Sequence, residues 1–387
     1  MGIIRGTNVT RENLLFGYDT GYGVSNNATS TRFYPGEPTT NATPLTDFFN
    51  LSNWTGGGWS GSAAYSTIYN NALEFTVTNG WRTFAIDHGI TSGGTVSVSF
   101  EYRLKSQQTG NIFGLVLNGL NLGNYHNNLG NISNADLEDS FATGWKRYTG
   151  TFTANNNTHG SKLAIGLRGT DNGGLTDVLV IRKLQVELKG HSTPYTETSR
   201  SSTGGLIDLR EDGTKTLINL SNVSFNSTAL PEFDGTNDYI DIPTNFGSVR
   251  KYSFEWVENA GSTHRMPIAG RTNTNFYKYG AYSWRYKHGG TLGEFYHTTG
   301  ATSGWHHWVV TYDGSTISVY QDAGSLGTNS SSSGTADFSD GLKIGYWAAG
   351  GSYAFDGPIP VMRFYDNALT AEQVKNNFNA YKNRFNI

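Results

Sequence analysis

The chain has 387 residues, enough for two or three domains that each bury a hydrophobic core. Only 15% of the residues are charged and the formal net charge is −3, so no basic field is present to hold nucleic acid or an anionic membrane surface. The absence of cysteine excludes a disulfide framework and a thiolate metal site. The 49 glycines, 22 tyrosines and 21 phenylalanines are typical of a polar, aromatic-rich all-β protein.

Residues 1–46 are predicted to form an N-terminal arm, because they hold too few apolar residues for a core of their own. Such an arm must either pack against its own chain or dock on a partner, and the sequence leaves both alternatives open. The candidate docking residues are Leu14, Leu15, Phe16 and Tyr18.

Residues 47–190 have the strand pattern of a first antiparallel β-sandwich. Apolar side chains occupy every second position of residues 95–104, as expected for a strand with one buried face. In residues 178–188 a similar row is interrupted by Arg182, which is expected at an end of the row or paired with an acid. Two more strands are predicted, at residues 144–153 and 162–168.

This first sandwich resembles the carbohydrate-binding-module jelly rolls. The resemblance lies in residues 96–102, in the Gly-Trp-Lys-Arg-Tyr block at 144–148 and in the Gln-Val-Glu sequence at 185–187. It implies a glycan-binding domain, for which the aromatic candidates are Trp81 and Tyr125. The alternative for either residue is a place in the interior, because aromatic side chains fill sandwich cores.

Residues 191–230 are predicted to link two domains, since Ser, Thr and Gly dominate around residues 198–205. The apolar pairs in Leu-Ile-Asp-Leu at 206–209 and Leu-Ile-Asn-Leu at 217–220 indicate edge strands of the following domain. We therefore expect the linker to be partly ordered.

Residues 231–387 carry the most specific pattern in the chain. Three motifs follow one another: FDGTNDYIDIP at 233–243, WHHWVVTYDGSTISVY at 305–320, and FDG with VMRFYD at 355–366. Short alternating strands between Asp-Gly turns predict a second antiparallel sandwich. The motifs resemble the laminin-G-like, or concanavalin A-like, jelly-roll family. That resemblance implies a two-sheet sandwich used mostly for binding, often of glycans and sometimes through a calcium ion.

Two groups of residues in this second sandwich are candidates for ligand binding. Glycans need aromatic platforms beside polar groups, and the candidates are Trp284, Arg285, Tyr286 and Trp347. Calcium needs hard oxygen donors, and the candidates are Asp234, Asp238 and Asp356. Aspartates are also favoured in turns for their own backbone hydrogen bonds. No cofactor is therefore assigned, and calcium stays an alternative.

The period of the apolar residues changes to that of a helix at the C-terminus. Thr370 and Gln373 have the spacing of a capping box, and one apolar stripe follows it, formed by Val374, Phe378, Tyr381 and Phe385. This short helix either covers the sandwich or forms a contact between copies of the chain.

No recognisable catalytic set is present, and the Glu-x-Asp-x-x-Glu signature of the concanavalin-like hydrolases is absent. Glu255 and Glu258 are three residues apart, so a strand directs them to opposite faces. His306 and His307 are adjacent and diverge for the same reason. We therefore predict a protein that is not an enzyme, with a secreted glycan-active enzyme as the third alternative.

Residues 16–22, 36–39 and 185–195 resemble segments of tailed-phage virion proteins. The resemblance implies a protein on the virion surface, a capsid decoration or fibre protein whose arm binds other virion proteins and whose sandwiches face outward. The alternative is a tail adhesin that binds glycans of the host cell surface. Neither nucleic acid nor insertion into a membrane is expected.

Overall fold

The computed structural model describes residues 9–21, 34, 36–43, 50, 53–58, 63–68, 72–77, 81–90, 94–106, 115–119, 128–132, 134–153, 162–168, 177–210, 212–226, 228–260, 264–270, 275–279, 283–288, 291–296, 304–330, 334–346 and 354–387. These residues consist mostly of antiparallel strands. They form two compact units: a middle unit, Pro38–Arg200, and a terminal unit, which combines Met1–Glu37 with Ser201–Ile387. In each unit two large sheets pack against each other, which confirms the prediction of two β-sandwiches. Within the described ranges no helix is both long and apolar enough to cross a bilayer.

The strands of the middle unit follow one strand of the terminal unit, β1 (Leu14–Asp19). They are β2 (Thr39–Thr40), β3 (Trp54–Gly58), β4 (Ala63–Ile68), β5 (Leu73–Val77), β6 (Trp81–Asp87), β7 (Thr95–Ser106), β8 (Leu115–Gly119), β9 (Asn128–Ile132), β10 (Lys146–Thr153), β11 (Lys162–Arg168), β12 (Asp177–Glu187) and β13 (Ser199–Arg200). One five-stranded sheet has the order β10-β7-β12-β5-β4 and the other β3-β6-β11-β8-β9. The three strands predicted from residue 144 onward are therefore present.

The core of the middle unit lies between these two sheets. Val96, Val98 and Phe100 of β7 are fully buried and pack in one cluster with Ile86 and Leu163 of the opposite sheet. The alternation in β7 produces this directly, since every second side chain of a strand points to the same face.

The outer face of β7 is covered at one end by the segment after β12. Ser97 Oγ donates to the carbonyl oxygen of His191 at 2.9 Å. Glu187 is fully buried and accepts from Thr193 Oγ at 2.6 Å, from the backbone N–H of Thr193 at 2.9 Å and from Thr39 Oγ at 2.5 Å. A buried carboxylate requires such donors. Glu187 of the Gln-Val-Glu sequence therefore holds the returning chain in place.

A helix that the sequence did not predict, α1 (Asn134–Thr143), precedes β10. Leu137 and Ser140 are its buried side chains among those described, whereas Phe141 is 42% exposed. Because the packed face has only one large apolar residue among those described, the sequence shows no apolar stripe with the period of a helix.

The remaining strands of the terminal unit are β14 (Asn219–Ser221), β15 (Ser224–Phe225), β16 (Pro231–Asp234), β17 (Tyr239–Ile242), β18 (Ser248–Val249), β19 (Tyr252–Ala260), β20 (His264–Gly270), β21 (Asn275–Tyr279), β22 (Ser283–His288), β23 (Thr291–Tyr296), β24 (Gly304–Tyr312), β25 (Ile317–Gln321), β26 (Gly324–Asn329), β27 (Ala336–Asp337), β28 (Leu342–Ile344), β29 (Asp356–Pro358) and β30 (Val361–Tyr365). A six-stranded sheet has the order β1-β30-β19-β24-β25-β26, and a seven-stranded sheet has the order β14-β17-β28-β20-β21-β22-β23. The unit has an aromatic core, in which Trp256 and Trp308 are fully buried.

Strand β1 corrects the expectation of a docking arm. It pairs with β30 as the edge strand of the six-stranded sheet. Phe16 and Tyr18 are fully buried in the core, while Leu14 and Leu15 are half-buried. Of the two alternatives for this segment, the structure shows packing against its own chain. Neither Phe16 nor Tyr18 is accessible to a partner.

The residues predicted as a linker divide between the two units, at Arg200 and Ser201. Residues 191–200 belong to the middle unit, and β14 pairs with β17 at the edge of the seven-stranded sheet. Leu220 thus lies in an edge strand, as expected for 217–220, whereas residues 206–209 form no strand and that part of the expectation is wrong. Leu217 itself is 46% exposed, whereas Ile218 is buried.

The C-terminal helix, α2 (Ala371–Phe385), covers the outer face of the six-stranded sheet. Its N-cap is Thr370, and the capping box with Gln373 is present. Val374, Tyr381 and Phe385 are buried against the sheet. The sequence prediction of this helix is confirmed, and the buried stripe serves the sandwich itself.

Candidate functional site

The outer face of the seven-stranded sheet presents polar and aromatic side chains next to the core of the terminal unit. In β17, Ile240 and Ile242 are buried, whereas Tyr239 and Asp241 point to the opposite face and are half-buried. Lys343 of β28 lies on the same outer face, because its neighbours Leu342 and Ile344 face the core. The alternation of each strand thus places these side chains together.

Two tyrosines and one lysine form a continuous surface on this face. The rings of Tyr239 and Tyr346 are stacked, with centroids 6.1 Å apart and an interplanar angle of 25°. The Nζ atom of Lys343 lies 4.3 Å from the centroid of the Tyr239 ring. Asn219 and Lys343 flank Asp241 in the ladder. We call these five residues the tyrosine platform.

The tyrosine platform has the chemical groups that recognise a sugar. Stacked aromatic rings offer a flat apolar surface, and each tyrosine has a hydroxyl group at its edge. The lysine ammonium and asparagine amide donate hydrogen bonds, and the aspartate carboxylate accepts them. The lysine is also held by the electron-rich face of Tyr239.

Two of the glycan candidates predicted in this unit, Arg285 and Tyr286, do not belong to the tyrosine platform. Arg285 is half-buried in β22, which lies four strands from β17 in the same sheet, or about 19 Å at the usual strand spacing. Tyr286 is 1% exposed and its ring packs on Phe276 in the core. It is therefore a core residue, which corrects its assignment as a platform.

The other glycan candidates are only partly covered by the structure. Trp284 lies in β22 opposite Lys278, and Trp81 begins β6 opposite Arg168. The side chains of these two tryptophans are outside the described residues, and Tyr125 and Trp347 lie outside them altogether.

The three calcium candidates do come together in the fold. Asp234 and Asp356 are partners in the ladder of β16 and β29, and Asp238 accepts the backbone N–H of Asp234 at 3.0 Å. Asp234 itself accepts the backbone N–H groups of Thr236 at 2.8 Å and Asn237 at 3.2 Å. Burial and the charge of Asp234 raise the pKa of Asp238. These contacts hold the turn between β16 and β17.

Metal-binding geometry is absent from the described part of the chain, where no three His, Asp or Glu side chains are grouped to hold an ion. The contacts of Asp234 and Asp238 are those of turn residues that bond to the backbone. Calcium at this turn stays an alternative that the described residues do not test.

The acids that were weighed as catalytic groups lie on opposite sides of the six-stranded sheet, as the spacing predicts. Glu258 faces the core and accepts from Trp256 Nε1 at 2.8 Å. Glu255 faces α2 and is fully buried. The sheet therefore separates the two carboxylates, which do not flank a common substrate bond.

Beneath α2, Glu255 is the centre of a buried polar network. His307 Nε2 donates to Oε1 at 2.8 Å, Tyr365 Oη donates to Oε2 at 2.8 Å, and Asn377 Nδ2 donates to Oε2 at 2.9 Å. Arg363 Nη1 lies 3.8 Å from Oε2. Burial raises the pKa of Glu255, but the hydrogen bond from His307 and the charge of Arg363 outweigh it, so the pKa lies below the ordinary value.

The two adjacent histidines have separate structural partners. His307 is fully buried in the Glu255 network, whereas Nδ1 of His306 lies 2.8 Å from a carboxylate oxygen of Asp322. Their side chains diverge from the strand, as predicted.

The tyrosine platform was missed by sequence reasoning, although part of its signal is present. The order Tyr239-Ile240-Asp241-Ile242 already separates two core residues from two outward residues. The position of Tyr346 beside Tyr239 could not be predicted from the sequence, because it depends on the pairing of β17 with β28.

Several solved structures are similar to parts of this chain. The binding domain of botulinum neurotoxin serotype D is 12% identical, with 45% of this chain and 47% of that chain covered and a TM-score of 0.36. Domain 4 of an extracellular arabinanase from Geobacillus stearothermophilus, solved with arabinotriose, is 16% identical over 43% of this chain and 82% of that one, with a TM-score of 0.31. A SAP-like pentraxin from Limulus polyphemus is 17% identical over 37% and 78% of the two chains, with a TM-score of 0.31.

No curated protein sequence matches the chain. Residues 234–375 match the family described as the concanavalin A-like lectin/glucanases superfamily, in its Laminin G 3 branch. This match includes the residues of the tyrosine platform except for Asn219. The C-terminal part of the chain therefore has a concanavalin A-like lectin fold.

Proposed function

We propose that the protein is a non-enzymatic glycan-binding protein and that the tyrosine platform holds the sugar. The observation that carries the proposal is the stack of Tyr239 and Tyr346 beside Lys343 on the outer face of the lectin-like sheet. The described acids support a binding role, since Glu255 and Glu258 are each occupied by structural partners. A sugar on this surface stacks on the rings and bonds to the polar groups around them.

Replacing Tyr239 with alanine is expected to weaken glycan binding at least about tenfold, because the sugar loses half of its aromatic surface. Tyr239→Phe retains the ring and is expected to bind more tightly than the alanine variant. The measurement is a glycan array followed by titration of the best ligand against the full chain.

Tyr195→Ala serves as the control, since Tyr195 is a half-buried tyrosine of the middle unit. The tyrosine platform would be rejected if Tyr239→Ala and Tyr346→Ala both bound the ligand with the affinity of the unmodified protein. An array without any signal would reject glycan binding itself.

We further propose that this glycan-binding protein is displayed on the surface of a tailed-phage virion. The support is the resemblance of residues 16–22, 36–39 and 185–195 to segments of virion proteins. Since Phe16 and Tyr18 are buried, we assign the attachment to other virion proteins to a different surface. A tail adhesin fits the tyrosine platform better than a decoration protein, because its glycan site would contact the host cell.

Purified particles are expected to contain the chain at a fixed copy number after washing in high salt. Mass spectrometry of gradient-purified virions measures this, and an antibody against the tyrosine platform is expected to reduce adsorption to host cells. Recovery of the chain in the particle-free fraction alone would contradict the virion proposal without affecting the glycan-binding one.

A further inference from the structure

The outer face of the sheet β10-β7-β12 in the middle unit gathers cationic side chains around one tryptophan. Arg147, Glu101 and Arg182 are neighbours across these three strands. Trp145 is half-buried, and the guanidinium carbon of Arg182 lies 4.0 Å from the centroid of its ring. We call this cluster the basic face; its residues are Glu101, Arg103, Trp145, Arg147, Arg182 and Lys183.

Arg182 is held in one orientation from two sides. Its Nε atom donates to Glu101 Oε2 at 2.6 Å, and its planar group is stacked on Trp145. The pairing with an acid is one of the two alternatives that the interrupted apolar row left open. The two terminal nitrogens of Arg182 have no acceptor within the described residues. They form the fork that matches a carboxylate in a bidentate pair.

A β-bulge places Lys183 on the same face as Arg182. Adjacent residues of a regular strand point to opposite faces, but the register of β12 against β7 shifts between Arg182 and Gln185. Lys183 adopts φ 54°, in the left-handed region, and its Nζ atom lies 2.9 Å from Glu101 Oε1. Non-glycine residues rarely adopt this conformation without compensation, and bulges often re-aim side chains at functional sites.

The charges on the basic face do not balance. Partial burial raises the pKa of Glu101, but the hydrogen bonds from Lys183 and Arg182 outweigh it, so the pKa is lowered and the carboxylate stays ionised. Glu101 is the one acid among the residues of the basic face, which has four cations. Arg103 is exposed and has no acidic partner in the described part of the unit. Arg147 bonds to Ser99 and to a backbone carbonyl, and the buried carboxylate of Glu187 also acts on its charge. The whole chain has a net charge of −3, so this excess of positive charge is confined to one part of the surface.

We propose that the basic face binds an acidic saccharide through its carboxylate group. The carboxylate lies between the terminal nitrogens of Arg182 and the ammonium of Lys183, and the sugar ring packs on the exposed part of Trp145. A single indole beside a few cations suits one acidic sugar unit, whereas nucleic acid is held by an extended basic surface. This site is in a different unit from the tyrosine platform and does not depend on it.

The test titrates the full chain with trigalacturonate, trimannuronate and sialyllactose, and with the methyl ester of whichever acid binds most tightly. The ester retains the sugar ring and removes the charge, so we expect it to bind at least about tenfold more weakly. Arg182→Gln is expected to weaken binding of the acid at least about tenfold, and added salt is expected to weaken it as well.

Two further variants separate binding from folding. Lys183→Gly removes one cation and relieves the left-handed backbone, so binding is expected to fall while the unfolding temperature stays the same or rises. Lys105→Gln is the matched control, because Lys105 is paired with Glu74 at 2.5 Å on the same sheet. Its binding is expected to change less than about twofold.

Any one of several results would overturn the proposal. They are the absence of binding to all three acids, equal binding of acid and ester, unchanged binding by Arg182→Gln, and equally tight binding of a single-stranded oligonucleotide with the same charge. Loss of acid binding in Tyr239→Ala would also overturn it, because the acid would then occupy the tyrosine platform.

Discussion

Substitution of Glu255 by alanine is expected to lower the free energy of unfolding of the terminal unit by about 3–5 kcal/mol. The carboxylate is fully buried and accepts hydrogen bonds from three side chains between the six-stranded sheet and α2. Without this carboxylate, Arg363 loses the negative charge that lies 3.8 Å from its Nη1 atom. The donors His307, Tyr365 and Asn377 lose their acceptor. Unsatisfied buried groups, rather than lost packing, account for most of the effect.

The measurement follows urea unfolding by hydrogen exchange of peptides from β19 and α2, because the chain has two units and a single spectroscopic transition would mix them. Glu12→Ala is the control, since Glu12 is exposed and its loss is expected to change stability by less than about 0.5 kcal/mol. Equal stability of the Glu255→Ala and Glu12→Ala variants would show that the network does not hold the helix.

The carboxylate of Glu255 also makes the stability of the terminal unit depend on pH. A group whose pKa is lowered by folding stabilises the folded state above its unfolded pKa, and this contribution is lost as the pH falls through the lower, folded value. The ordinary pKa of this side chain is 4.5. The difference in stability between the unmodified protein and Glu255→Gln is therefore expected to be constant near neutral pH and to shrink below about pH 4.5.

Elements whose signals are local were predicted, and α2 shows why. Thr370, Gln373 and the apolar stripe lie within one short segment, and the helix forms where they indicate. The same holds for β7, whose alternation of apolar and polar residues separates the core from the outer face. These patterns do not depend on what the segment packs against.

Features that depend on pairing between distant segments were not predicted. The run that contains Phe16 has no regular alternation, and its partner β30 lies at the other end of the chain. The basic face depends on the register of three strands and on the bulge at Lys183. From the sequence, Arg182 was expected only at an end of an apolar row or paired with an acid, and Trp145 was placed only in a strand and in the block at 144–148.

Substitution of Phe16 by alanine distinguishes an integral strand from a docking arm. The ring is fully buried, 5.8 Å from the ring of Phe246 and 6.1 Å from that of Phe364 between centroids. Truncation of a buried phenylalanine leaves a cavity, and the expected loss in the free energy of unfolding is about 3–5 kcal/mol. The loss should also weaken protection of β30 against hydrogen exchange, because β1 is its neighbour at the edge of the sheet.

If the segment acted as a docking arm, Phe16→Ala would leave unfolding unchanged and would reduce only the attachment to a partner. Burial of the ring argues for the loss of stability, since a side chain without exposed surface has no area to offer a partner. Urea unfolding measured on peptides from β30, with Glu12→Ala as the reference, separates the two. A strand that supplies a core residue cannot be released for docking without exposing the aromatic cluster it covers. If the proposed virion display holds, the attachment must therefore use a surface that stays accessible when β1 is in place.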